Sequence, residues 1–319
     1  MAVNCDKTNL WKQDVALSVD FYNEWFLKFA PAAFRQTRIE TTGQVASALE
    51  ITSNLTDITP LVLKQHPSVL QILRMTTCPP IARDRLVGLA GVKKSLVNTM
   101  EKKHSMPPRM KAQELDSQLA SIGSVIEDMS DVDIFPWKQE GTVPSDCDLQ
   151  RASTIIADRL CGALADPIIR NAQETRQLEA IRRWLSAREY RELAQGECKV
   201  IEEMPPGTFS FRMNVPGTQE DGSNVNIPVD AVIMRKDAAP GTLPALFEAK
   251  SAGDFTNTNK RRKEEAQKIL MLRRTFGDVI SFDLFLCGYF NAGYLGFEAA
   301  EGIDWVWEHR IDDLEQFGF

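Results

Sequence analysis

Two short apolar runs constrain this chain more than any other feature: Ile227-Pro228-Val229-Asp230-Ala231-Val232-Ile233 and Leu243-Pro244-Ala245-Leu246-Phe247-Glu248-Ala249-Lys250. Both have the length and apolar content of buried β-strands. The first carries the carboxylate of Asp230, and the second ends in a carboxylate and an ammonium, Glu248 and Lys250. Strand residues two apart project from one face, so Glu248 and Lys250 are expected side by side. A polar segment over 251–259 follows, and then a helix opening with Lys260-Arg261-Arg262-Lys263.

Glu-x-Lys alone is not distinctive, because it recurs at Glu101-Lys102-Lys103 and Glu197-Cys198-Lys199. The first of these lies in a helical stretch, and the second lacks a preceding strand that ends in an acid. Only Glu248 follows an apolar strand and has an acidic strand end 18 positions earlier. Upstream, Phe209, Phe211 and Met213 alternate, Val215-Pro216-Gly217 is expected to turn, and Asp221-Gly222 to make a hairpin tip before the strand that reaches Asp230. A basic helix over 259–275, with Ala266, Ile269, Leu270 and Phe276 inward, and a strand over 280–287 complete the set. This order predicts a mixed β-sheet flanked by helices over 149–319.

The remainder reads as helical. Val15, Val19, Tyr22, Trp25, Phe26 and Phe29 form the stripe of a docking helix expected to stop before Pro31, and Pro60 and Pro67 divide short apolar helices. Over 76–97, apolar runs interrupted by Gly88 and Gly91 predict two short helices with a tight connection, a loose likeness to a helix-turn-helix. A helix over 111–129 presents Leu115, Leu119, Ile122 and Ile126, and helices are expected over 149–165 and 167–195. The aperiodic stretch 131–148 sets the expected boundary between a helical region, 1–148, and the sheet domain, 149–319.

The net charge of −7 argues against a passive nucleic-acid coat, but the charge is unevenly spread. Residues 250–274 hold eight Lys or Arg against three acids, 71–110 hold eight against two, and 298–319 hold one against seven. Two basic patches on an acidic chain point to a localised polyanion site. The six cysteines are scattered without a CxxC, which argues against both a zinc site and a disulfide framework. The first residues lack the apolar core of a signal peptide, and the apolar run 279–297 is broken by Asp283 and Asn291-Ala292-Gly293, so a cytoplasmic protein without a membrane span is expected. His66, His104 and His309 form no ligand cluster, and no P-loop or GxGxxG is present.

Two carboxylates and a lysine beside a basic helix suit phosphodiester hydrolysis. A divalent metal polarises the phosphoryl oxygen and acidifies bound water, and Mg²⁺ needs only one or two carboxylates besides phosphate and water. Asp230 and Glu248 are the candidate metal ligands. Lys250 can orient the attacking water, stabilise the pentavalent phosphate or, with a depressed pKa, accept a proton. Candidate DNA contacts are Asn257, Asn259, Lys260, Arg261 and Lys263 after the second strand, and Arg83, Arg85, Lys93 and Lys94 in the earlier basic block. The asparagines and Lys260 have helix capping as the alternative. Glu264 and Glu265 are expected to be an exposed pair, with a metal-ligand role for one of them as the alternative.

Pro228-Val229-Asp230 followed by Glu248-Ala249-Lys250 resembles the PD(D/E)xK nuclease pattern, departing from it in having Val229 between proline and acid; Asp221 is the substitute acid. More specifically, TTCPPIARDRLVGLAGV (76–92) and FEAKSAGDFTNTNKRRKEEAQK (247–268) resemble the XamI family of type II restriction endonucleases. That resemblance implies an α/β (α+β) restriction-endonuclease-like core behind a large helical N-terminal region. It further implies Mg²⁺-dependent cleavage of double-stranded DNA at a short palindrome, GTCGAC, leaving 5′-phosphate ends. A homodimer is implied, with a cognate DNA methyltransferase protecting host DNA. The motif maps onto Asp230, Glu248 and Lys250, and 1–148 is expected to serve recognition and dimerisation. A structure-directed repair nuclease and a DNA-binding protein with a vestigial nuclease fold are the competing readings, the second disfavoured by the intact acid, acid and lysine.

Overall fold

The helix expected to stop before Pro31 runs through it, so that α1 covers Trp11–Ile51. Next come α2 (Pro60–Gln65), α3 (Val69–Met75), α4 (Arg83–Ala90), α5 (Lys94–Lys103), α6 (Ala112–Asp128), α7 (Pro136–Glu140) and α8 (Asp146–Ala187). Helix α8 likewise continues through Pro167. An interior proline costs a helix about 3 kcal/mol, and burial on both sides of each proline offsets it. In α1, Trp11 and Tyr22 are buried before Pro31 and Val45, Ala48 and Leu49 after it; in α8, Ile156 and Leu160 precede Pro167 and Ile181 and Leu185 follow it. This computed structural model describes residues 2–319 apart from Gln195 and Asn257; the side chains of Asn259, Lys260, Arg261 and Arg262 also lie outside the description.

The chain forms two compact units, Ala30–Ile168, and Met1–Phe29 together with Ile169–Phe319. Both internal prolines lie next to the points where the chain passes from one unit to the other. In the helical unit, α2 through α7 pack around Leu63, Leu70, Leu73, Leu86, Leu96, Met100, Leu119 and Ile122. The expected pair of short helices is present: α4 ends at Gly91, whose φ of +63° makes the left-handed cap that a non-glycine residue adopts at a cost, and α5 starts three residues later. At its centre Arg74 and Glu101 form a buried bidentate pair at 2.6 and 3.0 Å.

The other unit carries a six-stranded sheet in the order β1 (Arg191–Glu192), β2 (Thr208–Thr218), β3 (Asn224–Ile233), β4 (Ala245–Ala252), β5 (Phe282–Gly288), β6 (Trp305–Trp307). The pairs β1–β2, β4–β5 and β5–β6 are parallel, while β2–β3 and β3–β4 are antiparallel, which is the expected mixed sheet. Helix α9 (Thr258–Phe276) makes the β4-to-β5 crossover, and α10 (Ala292–Ala300) the one from β5 to β6. Ile269 and Leu272 of α9 pack on one face of the sheet, and Ile181, Trp184 and Leu185 of α8 on the other. Leu270, expected inward, is 45% exposed. Val215-Pro216-Gly217 does not turn but stays in β2, paired with Ile227, Asn226 and Val225; the hairpin tip is at Asp221-Gly222, as expected. The aromatic stripe of α1 is half buried, because the face that packs inward runs through Trp11, Ser18 and Tyr22, and Phe26 is 37% exposed. All six cysteines are free. Among the described residues no helix is long and apolar enough to cross a membrane.

On β5, Asp283 is buried, accepting a hydrogen bond from the Ser281 hydroxyl and one from the Asp304 N–H at 3.1 Å. Burial pushes its carboxyl up to about 6 from an ordinary 3.8. A raised acid favours folding while it holds its proton, so this contribution is complete below pH 3.8 and is lost as pH rises to about 6. The loss amounts to about 3 kcal/mol. Asp283→Asn lacks this titration, so its stability relative to the unaltered protein, measured by urea unfolding, is expected to rise between pH 4 and 7 by roughly that amount. A difference independent of pH contradicts the assignment.

Candidate active site

The site begins with a defect in the β2–β3 ladder. Phe209 pairs with Ile233 and Phe211 with Ala231, pairing resumes at Met213 and Val229, and Arg212 and Asp230 between them are unpaired. Arg212 has φ +52°, a left-handed conformation uncommon for a residue with a side chain. Both strands exchange faces there. Phe209, Ala231 and Ile233 lie on the α8 side of the sheet, whereas Met213, Val215, Ile227 and Val229 lie on the α9 side. Asp230 sits at the inversion.

The second element is a fork. Strand β4 pairs with β3 only at Ala231, Val232 and Ile233, so the two strands part at Asp230. Parting leaves the Ala249 N–H without a β3 carbonyl, and it donates instead to Asp230 Oδ2 at 2.9 Å. The stretch of β3 carrying Pro228 therefore has a strand partner on one side only, where a proline is tolerated. On β4, Leu246 and Ala252 join the α9-side core, which directs Glu248 and Lys250 toward the same helix.

There they meet a carboxylate and an ammonium from α9. Lys250 Nζ lies 3.1 Å from Glu248 Oε1 and 2.9 Å from Glu265 Oε1, and Lys268 Nζ lies 2.6 Å from Glu248 Oε1. Glu248 is 6% exposed and Glu265 fully buried. Glu248 Oε2 and Glu265 Oε2 are buried with no hydrogen-bond partner among the described residues. Burial, reinforced by the Glu248 charge, holds the Asp230 carboxyl up to about 6, against the opposing Ala249 N–H. Burial by itself lowers the Lys250 pKa, but Glu248 and Glu265 together outweigh it and the net shift is upward. Gln177 of α8, also buried, donates to the carbonyls of Lys250 and Phe285 at 3.2 and 3.1 Å and clamps β4 to β5.

Asp230, Glu248 and Lys250 are thus brought together. The substitute acid, Asp221, is exposed at the hairpin tip, where it accepts from the Ser223 N–H, beyond the start of β3 at Asn224, which is itself about 20 Å along the strand from Asp230 at roughly 3.3 Å per residue. Of the other Glu-x-Lys matches, Glu101 is taken by Arg74 and Glu197 caps the Ala194 N–H. Of the candidate DNA contacts, Asn257 and the side chains of Asn259, Lys260 and Arg261 lie outside the described residues, and Lys263 is exposed on α9. Arg85 is exposed, Lys93 and Lys94 make ion pairs with Glu114 and Asp84, and Arg83 binds Glu101 and Asn98. Lys268 is not among the sequence candidates, and Glu265 is there only as the alternative to an exposed pair, a reading that holds for Glu264 and fails for Glu265. The signal for Glu265 and Lys268 was their spacing, since 265, 268, 269 and 272 share one helical face and Ile269 and Leu272 are buried.

A mixed sheet flanked by helices, with two carboxylates and a lysine where two strands fork, places the protein in the restriction-endonuclease-like class. The profile of the XamI restriction endonuclease family matches residues 53–307. The chain is also 56% identical to type II restriction enzyme SalI of Streptomyces albus G over 318 residues, 99% of each chain. The chain belongs to the XamI restriction endonuclease family. No solved structure matches it.

Proposed function

We propose that this restriction endonuclease hydrolyses double-stranded DNA at GTCGAC as a type II enzyme, leaving 5′-phosphate ends, with Mg²⁺ held by Asp230 and Glu248. The observation that carries the metal assignment is Glu248 Oε2, buried without a hydrogen-bond partner among the described residues, beside an Asp230 carboxyl that is held up to about 6. A buried carboxyl whose pKa is pushed up by burial and by a neighbouring carboxylate marks a place where a cation is stabilised. Among the described residues no group of three or more His, Cys, Asp or Glu could hold an ion. Two carboxylates suit Mg²⁺, which completes its sphere with water and a substrate phosphate.

When bound, Mg²⁺ supplies Lewis-acid polarisation of the phosphate and a more acidic water. Lys250, kept charged by Glu248 and Glu265, serves as a donor and positive charge for the developing phosphorane rather than as a base. Region 1–148 supplies recognition and dimerisation in a homodimer. Within it Arg85 is an exposed cation, and Lys93 and Lys94 are held only by exposed ion pairs worth about 0–1 kcal/mol, so both can transfer to phosphate. Asn257, Asn259, Lys260, Arg261 and Lys263 take the DNA backbone near the cut. The enzyme works in the bacterial cytoplasm, with a cognate methyltransferase protecting host DNA.

Purified protein is expected to cut a plasmid bearing GTCGAC into discrete fragments with Mg²⁺, and not at all with EDTA. A smear, no cleavage under any divalent metal, or preference for branched over linear DNA contradicts this assignment.

A further inference from the structure

We propose that Lys268 is a positioning residue that competes with the divalent cation for Glu248, weakening metal binding until its ammonium is drawn away. The inference rests on the assignment of Glu248 as a metal ligand. Glu265, Lys250, Glu248 and Lys268 form one alternating chain of charges, linked at 2.9, 3.1 and 2.6 Å. Both ammoniums sit on the same carboxylate oxygen, Oε1, and the shorter contact is the one from Lys268. A cation bound by Glu248 would face two positive charges within a few ångströms, and one of them must give way.

The surroundings decide which. Lys250 is fixed on a strand and gripped from both sides by Glu248 and Glu265. Lys268 has Glu248 as its one ion-pair partner among the described residues, keeps 21% of its side chain exposed, and hangs on a flexible stem from a helix. Charge balance agrees. Asp230, Glu248 and Glu265 with both lysines leave one net negative charge; withdrawal of Lys268 leaves two, the complement of a divalent ion. A DNA phosphate entering the site offers Lys268 another anion, so substrate and metal would enter together. A lysine that merely neutralises a buried carboxylate would not give this linkage.

The probe is Mn²⁺ bound to the full-length protein without DNA, followed by electron paramagnetic resonance. Lys268→Met is expected to bind Mn²⁺ at least about tenfold more tightly than the unaltered protein, while Lys268→Arg stays close to it. Adding Glu248→Gln to Lys268→Met should abolish the gain. Equal affinity in Lys268→Met and the unaltered protein overturns the proposal, as does a gain that survives Glu248→Gln. Should Lys268→Met not fold, the unaltered protein answers: saturating Mn²⁺ should raise the acetylation rate of Lys268, read by mass spectrometry, by about threefold or more, and an unchanged rate overturns the proposal. Mn²⁺ binding on duplex DNA tests the metal ligand separately. If Glu248→Gln loses that binding while Lys268→Met matches the unaltered protein without DNA, only the role of Lys268 fails; if Glu248→Gln binds normally, the ligand assignment fails and Lys268 with it.

Discussion

Glu248→Gln is expected to lower plasmid cleavage by about 1,000-fold or more, ~4 kcal/mol of transition-state stabilisation, while binding of duplex DNA without metal stays near normal. Glutamine keeps the shape of the side chain and removes the charge, so the proposed metal site loses a carboxylate and Asp230 loses the neighbouring charge that adds to the effect of burial. Two lysines lose a partner at the same time, Lys250 keeping Glu265 and Lys268 keeping none among the described residues. Thermal unfolding of the variant separates lost chemistry from lost folding. Cleavage at the normal rate would remove Glu248 from the site.

The largest expected effect on stability lies in the helical unit. Arg74→Met should destabilise it by about 3–5 kcal/mol, because it leaves Glu101 as a buried charge that has lost its bidentate partner. Arg83 remains at 3.2 Å from Glu101 but is more exposed and reaches it less directly. Arg74 also donates to the Ile81 carbonyl at 2.5 Å, tying α3 to the start of α4, so the loss includes a loop contact. Urea unfolding of the variant checks the figure, and the double variant Arg74→Met with Glu101→Gln should recover part of it. A loss below about 1 kcal/mol would show that the pair is solvated like a surface bridge. Arg74 counts toward the basic block over 71–110, yet it is engaged inside the unit and is not available to DNA.

How far the sequence could be read follows from which signals are local. Strand alternation and the hairpin at Asp221-Gly222 depend on neighbours in the chain, and β3, β4 and β5 fall where those signals put them, while β2 runs on through the turn expected at Val215-Pro216-Gly217. So does the α4–α5 connection, since Gly91 supplies the left-handed cap. Pro31 and Pro167 misled because a proline's cost is local while the packing that overrides it is not. The three-residue strand β6 has no alternation long enough to read. At the site, Asp230, Glu248 and Lys250 were legible from the order of acid, strand and lysine. The fork that joins them was not, because it depends on where β4 stops pairing, and the inversion at Arg212 has no glycine to announce it. Glu265 and Lys268 share the helical face of Ile269, the expected inward position that is buried, while Leu270, also expected inward, is 45% exposed.

The most direct measurement is the sequence of every end produced from a plasmid carrying a single GTCGAC, cut in the presence of Mg²⁺. Ends confined to that hexanucleotide and bearing 5′-phosphates, absent with EDTA and absent with Glu248→Gln, are the predicted result. Ends scattered along the plasmid, or the same ends from Glu248→Gln at the normal rate, would contradict the reading of the β3–β4 fork as the centre of sequence-specific cleavage.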